Sequence, residues 1–404
     1  MYKNEFMQRL NLGGALTSHM ALDAARMIVV HQTRVYTDAI WNGKERIVWT
    51  NMVMPTELFY AAGLIPVHTE LTAGWMSTLG LAGRYCDIAE RNGYNVNLCS
   101  YHKTVIGAME RGDIPAPEIA VFSSHICDGG AGLIKYMEKR FNTKVMLVAV
   151  PYFKTKQSFE DLRRQLEQVR WMLAQHTGTD ITSSGMSAAA VLSNEARRHL
   201  KRANAAREGN VLINGNDVIR NLFGMTFLLG SEIGAEAAKS YAEQLAGMKS
   251  DNAVRKRILW IHFAPLYAGD IMRYFENDLE CKIVFDITGH IYWDGMDEND
   301  LLGSMADKIL SHFYLGSASR RISLYTDIIR RYRIDGVVMF MHQGCRAIAG
   351  SSFEIRRLCR DLSVPFLEVP GDCIDSRQFS SEQMKLRMEA FSENLEWKAN
   401  VSGY

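Results

Sequence analysis

Two stretches of the chain alternate short apolar runs with longer amphipathic segments. In the first stretch, Glu118–Phe122 and Lys144–Val148 are apolar runs of strand length, and Asp128–Phe141 between them has helical spacing. A strand, a helix and a second strand at this spacing predict a βαβ unit with a parallel sheet. The second stretch begins near residue 255 and contains four further runs that predict strands: Arg257–Phe263, Lys282–Asp286, Asp335–Phe340 and Pro365–Val369.

Helical spacing dominates the rest of the chain. Residues 1–50 predict helices, and residues 155–250 predict long helices with one charged and one apolar face. The expected fold class is therefore α/β, with two Rossmann-like (flavodoxin-like) parallel-sheet domains, an N-terminal helical segment and a helical insert between the domains. The expected boundaries are 1–48 for the helical segment, 49–250 for the first domain with its helical extension, and 251–404 for the second domain.

Composition and charge narrow the class of protein without identifying it. The 404 residues are 47% hydrophobic and 23% charged, which is typical of a globular chain with more than one core. The net charge of +1 provides no electrostatic basis for binding nucleic acid or an anionic membrane surface. No apolar run reaches about 18 residues, and the first residues lack a secretory pattern, so we expect a cytoplasmic protein with no membrane span.

Three of the seven cysteines lie where a ligand site is expected. Cys127 and Cys345 each follow a predicted strand and precede a helix, and Cys99 begins a predicted helix. Ligands bind outside the carboxyl ends of parallel strands, and helix N-termini stabilise thiolates. From position alone, a shared site and ordinary buried cysteines are equally good interpretations. No CxxC motif is present, so reduced thiols are expected, and the other cysteines are interpreted as small buried hydrophobes: Cys86, Cys281, Cys359 and Cys373.

Histidines beside these cysteines leave the kind of site open. His102, His125 and His342 each lie within two or three residues of one of the three cysteines. Cysteine and histidine could together hold zinc, but no compact pair of ligand motifs is present. Each histidine is as easily structural as functional, and a functional one would donate a hydrogen bond to sulfur, substrate or backbone. The run Asp128–Gly132 is neither GxGxxG nor a P-loop, so it is only a weak indication of nucleotide binding.

Three segments together resemble one known family. They are MPTELFYAAGLIPV at residues 54–67, the segment around Cys127, and GDCIDSRQFSSEQMKLRMEAFSENL at residues 371–395. In order and spacing they resemble the 2-hydroxyacyl-CoA dehydratase and benzoyl-CoA reductase family, as in a 2-hydroxyglutaryl-CoA dehydratase component. The resemblance runs from about residue 48 to residue 397, and it includes the wide spacing of the three cysteines.

The resemblance implies a cofactor and a set of site residues. A 4Fe–4S cluster would be held by Cys99, Cys127 and Cys345, and its fourth iron would be open to water, substrate oxygen or a bridging sulfide. The glycines of residues 128–132 would let the backbone approach this cluster or a CoA thioester. Glu57 matches the family's glutamate near the substrate hydroxyl, with a simple helix N-terminal residue as the alternative. The candidate catalytic residues are Glu57, His125 and His342, whereas the loop residues are expected to be structural: Asp372, Asp375 and Arg377.

The resemblance also implies a reaction and partners. The leading hypothesis is a dehydratase subunit that eliminates water from a 2-hydroxyacyl-CoA through a ketyl radical, after one-electron activation driven by ATP. Its partners would be a related second subunit (or a second copy of this chain) and a separate ATP-hydrolysing iron–sulfur activator. The alternatives are a benzoyl-CoA-reductase-like or double-cubane-cluster reductase, and a non-catalytic zinc or cluster-carrying accessory protein. The loops HICDGG and HQGCRA, with Arg346 beside its cysteine, match no single branch, so the reaction stays open.

Overall fold

The computed structural model describes residues 9–10, 20–43, 46–209, 213–249 and 256–402. Eight strands form two separate sheets, and every neighbouring pair of strands is parallel. The strands are β1 (Ile47–Thr50), β2 (Ile65–His68), β3 (Ile119–Ser123), β4 (Lys144–Val148), β5 (Lys256–Ile261), β6 (Cys281–Asp286), β7 (Gly336–His342) and β8 (Phe366–Gly371).

The two sheets have the same topology. The strand order is β2-β1-β3-β4 in the first sheet and β6-β5-β7-β8 in the second. In each sheet the chain begins at an inner strand, moves to one edge, and then crosses to the other side. This order confirms the predicted α/β fold with two Rossmann-like units, and it creates a position in each sheet where loops from neighbouring strands diverge and leave room for a ligand.

Helices connect and cover the strands. They are α1 (Asp23–Arg34), α2 (Glu57–Ala61), α3 (Thr69–Thr78), α4 (Ala82–Arg91), α5 (Ser100–Arg111), α6 (Asp128–Phe141), α7 (Lys156–Thr177), α8 (Ser183–Glu208), α9 (Gly215–Met225), α10 (Glu232–Gly247), α11 (Gly269–Arg273), α12 (Leu301–Ser311), α13 (Ala318–Arg331), α14 (Arg346–Ala349), α15 (Ser352–Asp361) and α16 (Ser381–Ser402). None of these described helices is both long and apolar enough to cross a membrane.

Two expectations about individual elements were wrong. Residues 47–50 form strand β1 rather than the end of a helical segment, and Val48 and Trp49 on it are fully buried between β2 and β3. Four residues are too few to display a strand period against the helical pattern before them. The sequence between the last two predicted strands also predicts a single helix over residues 346–361, but the structure divides it into α14 and α15 because the chain turns at Gly350 and Ser351.

The helical insert forms a core of its own. Apolar side chains of α8, α9 and α10 pack with Ala24 and Ile28 of α1, so the first described helix of the N-terminal segment is covered by the same chain. Ser231 begins α10 with its side-chain oxygen accepting from the Gly234 amide, which satisfies one of the free donors of the first turn. The insert therefore ties the N-terminal segment to the region between the two sheets.

One helix of the second half packs into the first. Leu302, Met305 and Ile309 of α12 join the core that covers Val48 of β1 and Val121 of β3. α12 lies in the connection between β6 and β7, yet its apolar face contacts the first sheet and α7. A division of the chain by sequence position does not anticipate this exchange. It joins the two halves through a continuous hydrophobic interface.

Candidate cysteine-lined active site

A cavity of about 730 Å³ lies where the two sheets meet. Its walls include residues that follow β1, β2 and β3 of the first sheet and β5, β6 and β7 of the second. Residues at the carboxyl ends of both parallel sheets therefore face one space, which is the usual position for a ligand in such folds. The same space is lined by all three candidate cysteines: Cys99, Cys127 and Cys345.

Cys127 lies between β3 and α6, at the N-cap of that helix. The preceding residue, Ile126, has φ +61°, a left-handed conformation that is costly for a β-branched side chain and turns the chain sharply toward the cavity. The amides of Gly129 and Gly130 donate toward the Cys127 sulfur and favour its thiolate. Burial has the larger effect, and it raises the pKa of the Cys127 thiol to about 11.

Cys345 has the matching position in the second half, between β7 and α14. The residue before it, Gly344, also has a positive φ, of +82°, which glycine adopts without strain. The amides of Ala347 and Ile348 donate toward the Cys345 sulfur, and burial raises the pKa of this thiol to about 11. The two βα turns therefore present a sulfur and a pair of backbone donors in the same way.

Cys99 is brought to the cavity by α5, whose N-cap it forms. The loop of the second half lies directly against it, since a Cβ on Gly344 would come within 2.8 Å of the Asn97 carbonyl oxygen and 3.0 Å of the Cys99 nitrogen. Burial raises the pKa of the Cys99 thiol well above its usual range, and the nearby Cys127 and Cys345 raise it further. All three cysteines line the same cavity, so their thiols face one common space.

The donor set fits an iron–sulfur cluster. Three buried thiols that line one cavity are costly to ionise together without a compensating positive charge, and backbone amides at their helix starts donate toward the sulfurs and favour thiolates. Among the described residues, no three His, Cys, Asp or Glu side chains converge on one point suited to a single metal ion. A cluster offers separate iron atoms to separate thiolates, so three cysteines on the walls of one cavity would each hold a different iron.

Two of the three candidate histidines contact cysteine sulfur, one of them across the two halves. His102 Nε2 lies 3.2 Å from Cys127 Sγ, and a Cβ at Gly129 would come within 2.5 Å of the His102 ring. Gly129 therefore makes room for this histidine. His342 Nε2 lies 3.2 Å from Cys99 Sγ, not from Cys345, which is its neighbour in sequence. Burial lowers the pKa of both histidines, so both are neutral near pH 7.

His125 does not contact a cysteine sulfur. Its Nδ1 bonds the Ser123 hydroxyl, its Nε2 is buried without a hydrogen-bond partner, and burial lowers its pKa to about 3. Its ring packs edge-on against His312, with 5.2 Å between the ring centroids, and His312 lines the cavity. His125 therefore lies behind the wall of the site.

Glu57 also lies behind the wall. It is completely buried, it accepts a hydrogen bond from the Ser193 hydroxyl at 2.7 Å, and its Oε1 is 2.8 Å from Lys308 Nζ. Lys308 itself lines the cavity, and its ammonium lies 4.6 Å from the centre of the Trp293 ring. Lys308 was not predicted from the sequence, although a lysine on the apolar face of α12 is a signal that could have identified it.

The other residues singled out from sequence have structural contacts. Asp372 accepts from the amides of Ile374 and Asp375, and Arg377 pairs with Asp375 and Glu90, so these side chains hold the loop against the first half. Arg346 is exposed at the cavity mouth, 3.4 Å from Asp128. The four remaining cysteines are buried, as expected: Cys86, Cys281, Cys359 and Cys373.

Comparisons with known proteins point to one family. Residues 51–395 match the family described as 2-hydroxyglutaryl-CoA dehydratase, D-component. The chain is 22% identical to the (R)-2-hydroxyisocaproyl-CoA dehydratase alpha subunit of Clostridioides difficile, over 88% of this chain and 91% of that one. It is 21% identical to the (R)-phenyllactyl-CoA dehydratase alpha subunit of Clostridium sporogenes, over 86% and 89% of the two chains.

A reductase component is similar at the same level. A benzoyl-CoA reductase subunit of Thauera aromatica is 22% identical over 77% of this chain and 79% of its own length. The similar proteins thus include both dehydratase and reductase subunits. Because the family match extends over most of the chain, the protein belongs to the 2-hydroxyglutaryl-CoA dehydratase D-component family.

Proposed function

We propose that this chain is the iron–sulfur subunit of a 2-hydroxyacyl-CoA dehydratase. The observation that carries the proposal is the meeting of Cys99, Cys127 and Cys345, from both halves of the chain, in one cavity at the carboxyl ends of two parallel sheets. The dehydratase alpha subunits similar to this chain over most of their length support the reaction class. The acyl-CoA substrate would enter the cavity from the side of the exposed Arg346.

The cofactor would be a 4Fe–4S cluster on these three thiolates, with one iron lacking a protein ligand. Such a group supplies one-electron chemistry and a Lewis-acidic position for a departing hydroxyl. The chain's contribution is to hold the thiolates. Pairs of backbone amides face Cys127 and Cys345, and histidine rings contact Cys127 and Cys99. These contacts offset the cost of burying negative sulfur.

Lys308 is the side chain we assign to the substrate. Its ammonium is buried, so it offers hydrogen-bond donors to a thioester or hydroxyl oxygen in a site with little water. Glu57 holds the ammonium in place through Oε1 and so acts as a positioning residue. This assignment gives Glu57 an indirect role, exerted through Lys308, whereas the family resemblance implies a place near the substrate hydroxyl.

The partners follow from the same proposal. The similar proteins are named as subunits, so we propose a complex with a related second subunit or with a second copy of this chain. A separate ATP-hydrolysing iron–sulfur protein would supply the activating electron. A reductase is the second candidate, because the benzoyl-CoA reductase subunit has comparable identity. ATP use in a fixed stoichiometry with the product formed would favour the reductase over a dehydratase that needs only occasional activation.

Iron and acid-labile sulfide analysis of anaerobically purified protein tests the cofactor. We expect about four irons per chain. Cys99→Ala, Cys127→Ala and Cys345→Ala are each expected to lose most of this iron, because each removes one of three ligands. Cys359→Ala is the matched control, since Cys359 is buried in the core of the second half and does not line the cavity, and it should keep the iron. A colourless wild-type protein that contains only zinc would contradict both enzyme proposals.

Turnover tests the reaction. After activation, the complex should convert an (R)-2-hydroxyacyl-CoA to the enoyl-CoA under anaerobic conditions. Lys308→Met, in a protein that keeps its iron, should lower kcat by about 10²–10³-fold because an electrostatic donor in the site is lost. No product from any of several aliphatic and aromatic 2-hydroxyacyl thioesters, in a protein with a full cluster, would count against the dehydratase.

A further inference from the structure

The contact between His342 and Cys99 joins residues that are far apart in sequence. His342 is the last residue of β7 in the second half, and Cys99 is the N-cap of α5 in the first. The distance from His342 Nε2 to Cys99 Sγ is 3.2 Å, within hydrogen-bonding range for sulfur. Each half therefore contributes one partner to a single N–H···S contact at the wall of the cavity.

The other ring nitrogen of His342 determines which atom carries the proton. The Cys373 amide, 3.0 Å away, donates its hydrogen to His342 Nδ1. An imidazole nitrogen that accepts a hydrogen bond carries no proton, so the ring is neutral and its single proton is on Nε2. Asp372 Oδ1, at 3.7 Å, is too far from Nδ1 for a hydrogen bond and already accepts from the Ile374 and Asp375 amides.

The ring has little freedom to turn away from this arrangement. It is buried and is held between Tyr101, edge-on at 5.5 Å between centroids, and His262, stacked at 5.8 Å. A 180° turn of the ring would lose the Cys373 amide bond as well as the contact with sulfur. The Nε2–H bond is therefore directed at Cys99 Sγ by packing on both faces and by a backbone donor on the far side.

From this geometry we infer that His342 is a positioning residue that donates a hydrogen bond to the Cys99 thiolate and thereby raises the reduction potential of the bound cluster. The inference rests on the proposed function, since it needs a cluster on Cys99. A hydrogen bond to a ligating sulfur withdraws negative charge and stabilises the reduced cluster, which carries one more electron. Cys127 has its own histidine, His102, at 3.2 Å, and Cys345 receives no such bond from a side chain of the described residues, so His342 acts on the Cys99 thiolate alone.

Two substitutions separate the donor from the structural role of the ring. His342→Gln keeps an N–H at about the position of Nε2, so it retains the donor to sulfur. His342→Asn keeps an oxygen near the position of Nδ1, so it retains an acceptor for the Cys373 amide but loses the donor. The measurement is the midpoint potential of the cluster in anaerobic protein, followed by electron paramagnetic resonance, with iron and sulfide content determined on the same samples.

The expected result is a midpoint potential shifted to more negative values in His342→Asn and close to the wild-type value in His342→Gln. Equal potentials in the wild type and in His342→Asn, at equal iron content, would overturn the inference. So would the reverse pattern, in which only His342→Gln shifts, because it would assign the role to the Cys373 amide. Loss of iron in His342→Asn alone would also support the donor. Loss of iron in both variants, with circular dichroism showing that the fold is retained, would overturn the inference and assign a structural role to the His342 ring.

Iron analysis keeps this test distinct from that of the proposed function. A wild-type protein without iron and sulfide overturns both, because no cluster exists for His342 to act on. A wild-type protein with a full cluster and unchanged potentials in the variants overturns only the role of His342.

Discussion

The two halves of the molecule have the same strand order, but the helices and side chains around their cysteines differ. In both, the third strand ends in a turn with a positive φ before the cysteine, at Ile126 in the first half and Gly344 in the second. Cys127 then begins a helix of 14 residues and has a histidine at its sulfur, whereas Cys345 begins a helix of four residues. His342, the histidine nearest Cys345 in sequence, contacts Cys99 of the first half.

This difference shows what a repeated fold can and cannot provide. Parallel strands, βα turns and helix N-termini bring the sulfur and its backbone donors to the same place in each half, because that geometry depends on the backbone. The side chains around each sulfur are free to differ. The second half accordingly provides one cysteine and two side chains that contact the first half. His342 contacts Cys99, and Lys308 pairs with Glu57.

The largest expected loss of stability is at the buried ion pair that joins the two halves, between Glu57 and Lys308. Lys308→Met leaves the fully buried Glu57 without its cationic partner, so we expect unfolding to become easier by about 3–5 kcal/mol. Unfolding in guanidinium chloride measures this change in the free energy of unfolding. The double variant Glu57→Gln, Lys308→Met should recover most of the loss, because no buried charge remains. A loss below about 1 kcal/mol in the single variant would show that water or movement relieves the pair.

A smaller effect is expected at the loop that packs against Cys99. Gly344→Ala combines a left-handed backbone with a Cβ 2.8 Å from the Asn97 carbonyl oxygen, and it should cost about 1–3 kcal/mol. Gly132→Ala in α6 is the control, since its Cβ would meet nothing within 4 Å, and it should stabilise the protein by about 0.5–1 kcal/mol. Urea unfolding compares the two. Equal effects would mean that the two halves do not touch closely at this loop.

The smallest effect is expected at the exposed junction. Arg377 pairs with Glu90 of the first half at 2.9 Å and remains about one third exposed. Arg377→Ala should cost about 0.2–1 kcal/mol, and the cost should shrink in high salt because water and ions screen the pair. Repeating the unfolding measurement at low and high salt checks this. A cost that does not depend on salt would indicate packing of the Arg377 stem rather than charge.

Much of the fold follows from local patterns. The apolar runs at Lys144–Val148 and Asp335–Phe340, and the helix over Asp128–Phe141, were predicted within one or two residues, since each has a clear period and is bounded by polar or glycine residues. β1 was missed because its four residues gain their stability from neighbours on both sides and not from their own pattern.

Within the site, the sequence by itself determined the positions of the three cysteines at helix starts, and for Cys127 and Cys345 at strand ends, since these depend on residues adjacent in the chain. Only the tertiary structure decided their partners. His342 contacts a sulfur 243 positions away, and Lys308 pairs with Glu57 across 251 positions. Such contacts depend on how two sheets and the exchanged helix α12 pack together. Packing is a property of the whole core, and the hydrophobic period of a single segment does not determine it.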